Sequence, residues 1–399
     1  MQGPKYRIGE VAQGTILKQG ASVVFDQSPI MGDATRLPLP HPEIFAALQP
    51  GSRLLMDDGK LALEVSQLFD TSLTAIVKTG GPVLSRKGVN VPDIKIDTQV
   101  LTPKDIKDLE FALLHGADWI ALSFVQSVSD IIAAKTIIAG RAQLMAKIEK
   151  PAALNEIVDI IHAADAIMIA RGDLGVELEA AEVPSVQKRL IHQCRRVGKP
   201  VVVATQMLES MITSPTPTRA EASDVAGAVF DGADAVMLSA ETAIGDNPVE
   251  AVLIMANIIK SAQAHIMSYP YDGPSPLEVE PSVYHAVAKA AVALAQTIEA
   301  KAIIAYSASG NTAVRISRER PCIPFFVPTP HEAVERKLSV LYGANTIHQK
   351  ETDFETALTQ TKAILLEKKI VRKNDHIVVV AGIPFGKAGS TNSIRVTQI

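Results

Sequence analysis

The sequence predicts a multidomain α/β protein: a small all-β unit near the front, a parallel sheet of the (β/α)8 barrel type, and a second, open α/β domain. Three observations predict it. Residues 6–92 are short alternating segments broken by Asp-Gly, Gly-Gly and Lys-Gly turns. From Thr102 onward, short apolar runs alternate with helix-like stretches. A stretch at 268–281 with four prolines and several acidic residues then separates two such α/β series.

In order along the chain, VAQGTILKQGASVVFD, SRLLMDDGKLALEV and TSLTAIVKTGGPVLSRKG read as strands and turns. TPKDIKDLEFALLHG reads as a helix, with Thr102 as its N-cap, apolar residues three and four apart, and Gly116 as its stop. WIALSF, LMAKI, AIMIA, PVVVA and AVMLS are five short buried-strand runs between 119 and 239. Helical stretches such as SVSDIIAAKTIIAG and AAEVPSVQKRLIHQCRRVG separate them. Continuous apolar strands alternating with helices mean a parallel sheet covered by helices. After 268–281, VYHAVAKAAVALAQTI is an amphipathic helix. AIIAYS, CIPFFV and HIVVVAGI then alternate with helices near 311–319, 331–341 and 354–370.

Composition narrows the function classes. The chain has 399 residues, a length suited to two or three domains, and at 47% apolar and 21% charged it is neither disordered nor fibrous. A net charge of −4 and an aromatic share of 4% argue against nucleic acid as a partner. Cys194 and Cys322 are the only cysteines, which leaves no disulfide framework or cysteine-based zinc site and points to a reducing, cytoplasmic compartment. No apolar run approaches the length of a membrane span, and the first residues lack the apolar core of a signal peptide.

Polar residues gather just after successive strands: Lys147 and Glu149, Arg171 and Asp173, Thr205, then Ser239 with Glu241. In a (β/α)8 barrel these are the C-terminal strand ends, where active sites are built. Lys147 and Glu149 are two apart on one strand face. Glu149 and Asp173 would offer two hard oxygen ligands to Mg²⁺, which takes few carboxylates and fills its shell with water and substrate oxygens. Lys147 beside them suits a phosphoryl group or a developing enolate. The same three residues could instead form a buried ion-pair network, and Thr205 alone reads equally as an N-cap. The polar loop 211–224, with Arg219 and Glu221, reads as an interface or a lid. The loop Ser307-Ala-Ser309-Gly310-Asn311-Thr312 precedes a helix, so its N–H groups could cradle a phosphate, or it is simply a structural turn.

Several long blocks together closely resemble the pyruvate kinase family: MAKIEKPAALNEI, IMIARGDLGVELE, VVVATQMLESMITSPTPTRAEASDVAGAV and DGADAVMLSAETAIGDNPVEAV. QGPKYRIG, MDDGK at 56–60, SRKGVNVP at 85–92 and LTPKDIKDLEFALLHGADWIALSFV extend the resemblance over essentially the whole chain. It implies phosphoryl transfer between phosphoenolpyruvate and ADP, giving pyruvate and ATP in glycolysis. It also implies a TIM barrel at 1–8 and 93–267, an inserted β-barrel domain at 9–92, a linker at 268–281, and a C-terminal α/β domain at 282–399. By resemblance Lys147 stabilises the transferring phosphoryl and the enolate, and Glu149 and Asp173 hold Mg²⁺ or Mn²⁺. Gly172 and Asp173 (through their backbone) and the Thr205 hydroxyl hold the substrate carboxylate. Ser239 and Glu241 belong to a polar network linked to enolate protonation, and Arg7 and Lys87 contact the nucleotide. Residues 307–312 match a region that binds a sugar-phosphate effector in some members; here Asn311 stands where a basic residue is common.

Many members need K⁺ and carry a Glu where this chain has Lys5. With Gln2 and Ile8 beside it, Lys5 resembles the subgroup in which an ammonium replaces the cation, implying no K⁺ requirement. The family expectation is a homotetramer. Relatives carry a section before QGPK that supplies the first barrel strands, with an Arg, an Asn, a Ser and an Asp of the site, so the sequence reads as a late start. A catalytically dead paralogue serving as an assembly partner, and a metal-dependent carbon–carbon lyase, are the alternative readings.

Overall fold

The computed structural model describes every residue except 93, 95, 97–99, 270–271, 276, 278–281, 351–352 and 386–390. Half of the 268–281 linker therefore lies outside the described residues. The chain divides into two compact units, Met1–Gln187 and Lys188–Ile399.

In the first unit the alternating front segments form a six-stranded sheet. Its order is Arg36–Pro38, Ser22–Asp26, Ser72–Thr79, Leu61–Leu68, Arg53–Met56, Val89–Asn90. Only the Ser22–Asp26 and Arg36–Pro38 pair is parallel. The hairpin joining Arg53–Met56 to Leu61–Leu68 turns on Asp57, Asp58 and Gly59, with φ of 50°, 56° and 81°. Asp and Gly tolerate that left-handed backbone, so the DDG triplet fixes the register of the pair. Strand alternation buries Leu61, Leu63 and Val65 on one side of their strand. They pack with Phe25, Leu37, Leu54 and Leu73 in one core. A helix at Pro42–Ala47 adds Ile44 and Phe45 to that core. Its six residues are too few for a helical period to show in sequence.

The same unit carries the start of the β/α series. Helix Pro103–Leu114 begins at Thr102, whose hydroxyl accepts from the Asp105 N–H at 3.1 Å while the Asp105 carboxylate accepts from the Thr102 N–H at 3.0 Å. This reciprocal cap is written in the sequence as T-P-K-D. Strands Trp119–Leu122, Gln143–Ile148 and Ala166–Ala170 are parallel, with Gln143–Ile148 in the middle. Every residue of Ala166–Ala170 is buried, as a strand covered on both faces requires.

In the second unit Val201–Ala204 pairs in parallel with Ala235–Val236. A five-stranded sheet follows in the order Ala344–His348, Phe325–Thr329, Ala302–Ala305, His376–Gly382, Thr391–Gln398. The first four strands are parallel and the last is antiparallel. Residues alternate along His376–Gly382: Val378 and Val380 enter one core with Ile303, while Ile377 and Val379 enter another with Ile304. The sequence reading omits Ala344–His348 and Thr391–Gln398. Both are edge strands, and their polar, half-exposed residues give no apolar run to recognise. Among the described residues no helix is long and apolar enough to cross a membrane.

Phe25 is fully buried at the centre of the front core. Phe25→Ala should destabilise that sheet by about 3–5 kcal/mol. Protease cleavage within 9–92 should become faster than in the parent protein; an unchanged cleavage rate there would contradict this account of the core.

Candidate active site

The middle position of Gln143–Ile148, hydrogen-bonded on both sides, fixes where its C-terminal end points its side chains. Lys147 is the last but one residue of this strand and Glu149 lies just beyond it. The Lys147 ammonium sits 2.5 Å from Glu149 Oε1, with the lysine side chain 23% exposed and the glutamate 2%. Lys147 Nζ also donates to Ser123 Oγ at 2.8 Å. The Phe124 N–H donates to Glu149 Oε2 at 2.8 Å, from a residue held at φ 57°. A bulky residue in the left-handed region is strained, and here the strain aims an N–H at the buried carboxylate. Burial raises the Glu149 pKa; the Lys147 charge and hydrogen bond pull it down, and the nearby Asp173 charge pushes it up again.

Arg171, Gly172 and Asp173 open a short helix, Arg171–Glu177, directly after strand Ala166–Ala170. The sequence reading treats this segment only as a strand end. Asp173 also lines a cavity of about 320 Å³ together with Lys5, Arg7, Lys87 and Lys150. Lys147 and Glu149 are not in its lining. Lys87 pairs with Asp57 at 2.7 Å, which raises the lysine pKa and lowers that of the aspartate. Lys150 pairs with buried Glu177, which also accepts from Asn90 Nδ2 at 2.8 Å, and its ammonium lies 5.7 Å from the Phe124 ring centre. Sequence reasoning misses Ser123, Asn90, Lys150 and Glu177. Ser123 carries a usable signal, since it closes WIALSF as a polar residue at a strand end; the other three show none.

The remaining candidates lie in the second unit. Thr205 follows strand Val201–Ala204 with φ 69°, Gln206 follows with φ 55°, and the Thr205 hydroxyl donates to the Ala204 carbonyl at 2.6 Å. Two non-glycine residues in this region form a strained corner that the sequence does not reveal. Glu241 is 3% exposed and accepts from the Ser239 N–H at 2.7 Å and the Leu208 N–H at 3.2 Å, tying together the loops after two strands. In the loop 211–224, Glu221 caps helix Arg219–Asp231 and accepts from the Thr218 N–H and hydroxyl and from both donors of Ser210. Its charge is spent inside the unit. In the loop 307–312, Ser307 Oγ accepts from the Thr312 N–H at 3.3 Å, Thr312 Oγ1 meets Thr391 Oγ1 at 2.7 Å, and Gly310 takes φ 87°. Asn311 is exposed and Ser309 half-buried.

The described residues contain no group of three or more His, Cys, Asp or Glu side chains arranged to hold a metal. Fold and site together define a multidomain α/β enzyme with an ammonium and hard carboxylate oxygens at parallel-strand ends, a set suited to phosphoryl chemistry. Residues 1–252 match the pyruvate kinase barrel domain and residues 285–397 the pyruvate kinase alpha/beta domain. A pyruvate kinase of Agrobacterium vitis is 48% identical over all of this chain and 83% of its own length. One of Methylorubrum extorquens is 44% identical over all of this chain and 84% of its own. The crystal structure of a pyruvate kinase from Cryptosporidium parvum superimposes with a TM-score of 0.90 at 32% identity, covering 99% of this chain and 82% of that one. The chain belongs to the pyruvate kinase family. It is accordingly a phosphotransferase acting between phosphoenolpyruvate and ADP to give pyruvate and ATP in glycolysis, in a metal-dependent family.

Burial opposes ionisation of Glu221, but the donors from Ser210 and Thr218 outweigh it and hold its pKa below 4.5. A carboxylate with a depressed folded pKa stabilises the protein above its unfolded pKa, and that contribution fades as pH falls through the folded value. Glu221→Ala should therefore destabilise the second unit by about 1–3 kcal/mol at neutral pH. The gap from the parent protein should shrink below pH 4.5. Urea unfolding at several pH values checks this; a gap independent of pH would refute the role of the charge.

Proposed function

We propose that Lys147, Glu149 and Asp173 form the phosphoryl-transfer centre of this enzyme. The observation that carries the reading is the Lys147 ammonium held between Ser123 Oγ and the buried Glu149 carboxylate at the end of a central strand. Phosphoryl transfer asks a protein chiefly for positioning and charge neutralisation. A preorganised ammonium supplies both for the transferring group and for the enolate oxygen left behind. Two anchors limit where it can move.

A divalent cation fits the neighbouring residues. The Glu149 carboxylate is buried, has a raised pKa, and feels the Asp173 charge, so the pair lacks positive charge beyond that of Lys147. We assign Glu149 and Asp173 as ligands of Mg²⁺ or Mn²⁺. When bound, the ion would neutralise phosphate oxygens as a Lewis acid. Fewer than three clustered side-chain donors suits Mg²⁺, which keeps substrate and water oxygens in its shell. The backbone of Gly172 and Asp173 and the hydroxyl of Thr205 are assigned to the substrate carboxylate, and Ser239 and Glu241 to the polar surroundings of enolate protonation. Arg7 and Lys87 are assigned to the nucleotide; both line the cavity that also holds Asp173, and Asp57 keeps Lys87 in place. Residues 307–312 are assigned as a structural turn or an effector loop; Ser307 Oγ accepts from the Thr312 N–H and Thr312 Oγ1 meets Thr391 Oγ1. A cytoplasmic homotetramer is the assembly and location this reading implies.

Pyruvate formation from phosphoenolpyruvate and ADP tests the centre directly. Lys147→Ala should lower kcat on the order of 10²–10³, as for loss of one preorganised transition-state donor. Asp173→Asn should raise the Mg²⁺ concentration needed for half-maximal rate. Unchanged turnover in Lys147→Ala would remove the assignment.

Lys5 lines the same cavity, so its ammonium can supply a monovalent charge beside the nucleotide. Turnover should accordingly be nearly the same in buffers with and without K⁺, and Lys5→Glu should create a K⁺ dependence. Strong activation of the parent enzyme by K⁺ would contradict this.

A further inference from the structure

A second cavity, of about 260 Å³, lies within the Lys188–Ile399 unit, and none of the residues assigned to phosphoryl transfer lines it. Arg195 from helix Val183–Val197, Lys289 from helix Val283–Thr297 and Arg320, just past helix Asn311–Arg318, bring three cations to its wall. Val229, Ile266 and Tyr342 give it an apolar side. Glu319 also lines the cavity, and it and Asp234 both act on Arg195 at a distance, but their direct partners are other groups. Asp234 pairs with Arg320 at 2.9 Å and accepts from the Val201 and Tyr342 N–H groups. Arg320 also donates to the Gly232 carbonyl at 2.6 Å and stacks 4.7 Å from the Tyr342 ring centre. Glu319 meets His285 Nε2 at 2.6 Å and Arg318 Nε at 3.8 Å.

Arg195 and Lys289 are left over. Arg195 is 4% exposed, and its Nη atoms reach only the carbonyls of Ser275 and Arg318, at 3.2 and 3.4 Å. Its Nε is buried without a hydrogen-bond partner. Lys289 has no ion pair or hydrogen bond among the described residues. Burial, with Arg320 close by, pushes the Arg195 pKa down to about 10, so the guanidinium remains charged at neutral pH. Buried charges in proteins are ordinarily paired, and an uncompensated one is costly. Two cations without a direct ion pair among the described residues, on a partly apolar cavity, leave room for an opposite charge.

We infer that this cavity binds a small organic anion, a carboxylate or phosphate group on a compact apolar body, gripped by Arg195 and Lys289. The guanidinium offers its unpartnered Nε–H to an anionic oxygen, and Lys289 adds a mobile point charge at the partly exposed side. The volume lies below the roughly 300–1,000 Å³ of drug-sized pockets, which restricts the occupant to a compact metabolite. The anion would bridge the helices carrying Arg195 and Lys289, giving the site leverage over the packing of this unit.

Cys322 provides a local reporter. It lines the cavity and is partly exposed, while Cys194, the only other cysteine, is buried. The rate at which Cys322 reacts with dithionitrobenzoate is measured with phenyl phosphate, benzoate, or neutral benzyl alcohol present. An anion at about nine times its Kd should slow labelling about tenfold, following the 1 + [L]/Kd factor. Benzyl alcohol should have little effect. Protection by benzoate alone assigns a carboxylate ligand, by phenyl phosphate alone a phosphate ester, and by both a site that accepts either. Arg195→Gln and Lys289→Gln should abolish protection, and Cys322→Ser should abolish labelling. Because Lys289 is only partly buried on a helix, Lys289→Gln carries the test should Arg195→Gln misfold. The inference fails if neither anion slows labelling of the parent protein, if benzyl alcohol protects equally well, or if Lys289→Gln is protected like the parent.

Discussion

The contact on which the proposed phosphoryl-transfer centre depends is the one between Lys147 and Glu149. A carboxylate 2% exposed is an expensive thing to leave ionised, and its raised pKa records that cost. One ammonium at 2.5 Å and one backbone N–H favour the charged form, and burial and Asp173 work against them. The balance leaves a small region that takes positive charge readily. Lys147 projects from the end of a strand paired there with Ala166–Ala170, and Glu149 lies one residue beyond that strand, so the pairing restrains the backbone that carries them. In the proposed role, that restraint makes the ion pair a preorganised electrostatic site.

The same segment extends the charge network toward the front sheet. Lys150 follows the pair by one residue and reaches Glu177, and Glu177 accepts from Asn90 of strand Val89–Asn90. Strand end, short helix and front sheet are thereby joined through a buried carboxylate whose partners Asn90 and Lys150 line the cavity that also contains Arg7 and Lys87. Removing Lys150 would leave the Glu177 charge buried and uncompensated, the situation in which broken ion pairs are most destabilising. The geometry thus couples the position of the front sheet to that of residues immediately beside Lys147. Coupling of this kind suits an enzyme that must bring a nucleotide and a second substrate together before transfer.

Much of this architecture was legible in the residues, for reasons that differ by element. The Thr102 cap, the Asp57-Asp58-Gly59 turn and the all-buried Ala166–Ala170 strand each carry a local rule that tertiary structure had no cause to override. The edge strands Ala344–His348 and Thr391–Gln398 follow no such rule, because edge positions face solvent and accept polar side chains. Within the site, strand-end clustering pointed to Lys147, Glu149 and Asp173, since the period of a strand and the polarity of its end are sequence properties. The roles of Phe124 and Thr205 were not legible. What matters at both positions is a left-handed backbone, and neither residue type announces one. Asn90 and Glu177 were hidden for another reason: their meaning is a contact across 87 residues of chain.

The two units handle buried charge in opposite ways. Around Glu149 the buried group is an anion, and the structure supplies an adjacent cation while leaving the Asp173 repulsion unrelieved. Around Arg195 the buried group is a cation, and the structure commits the nearby carboxylates of Asp234 and Glu319 to other partners. Ordinary selection for stability would favour pairing such charges or replacing them with apolar side chains of similar volume. Retaining them unmatched is a departure from local consistency, and such departures concentrate where a protein has work to do. By that logic an incompletely matched charge, more than any single motif, marks the places where this fold meets other molecules.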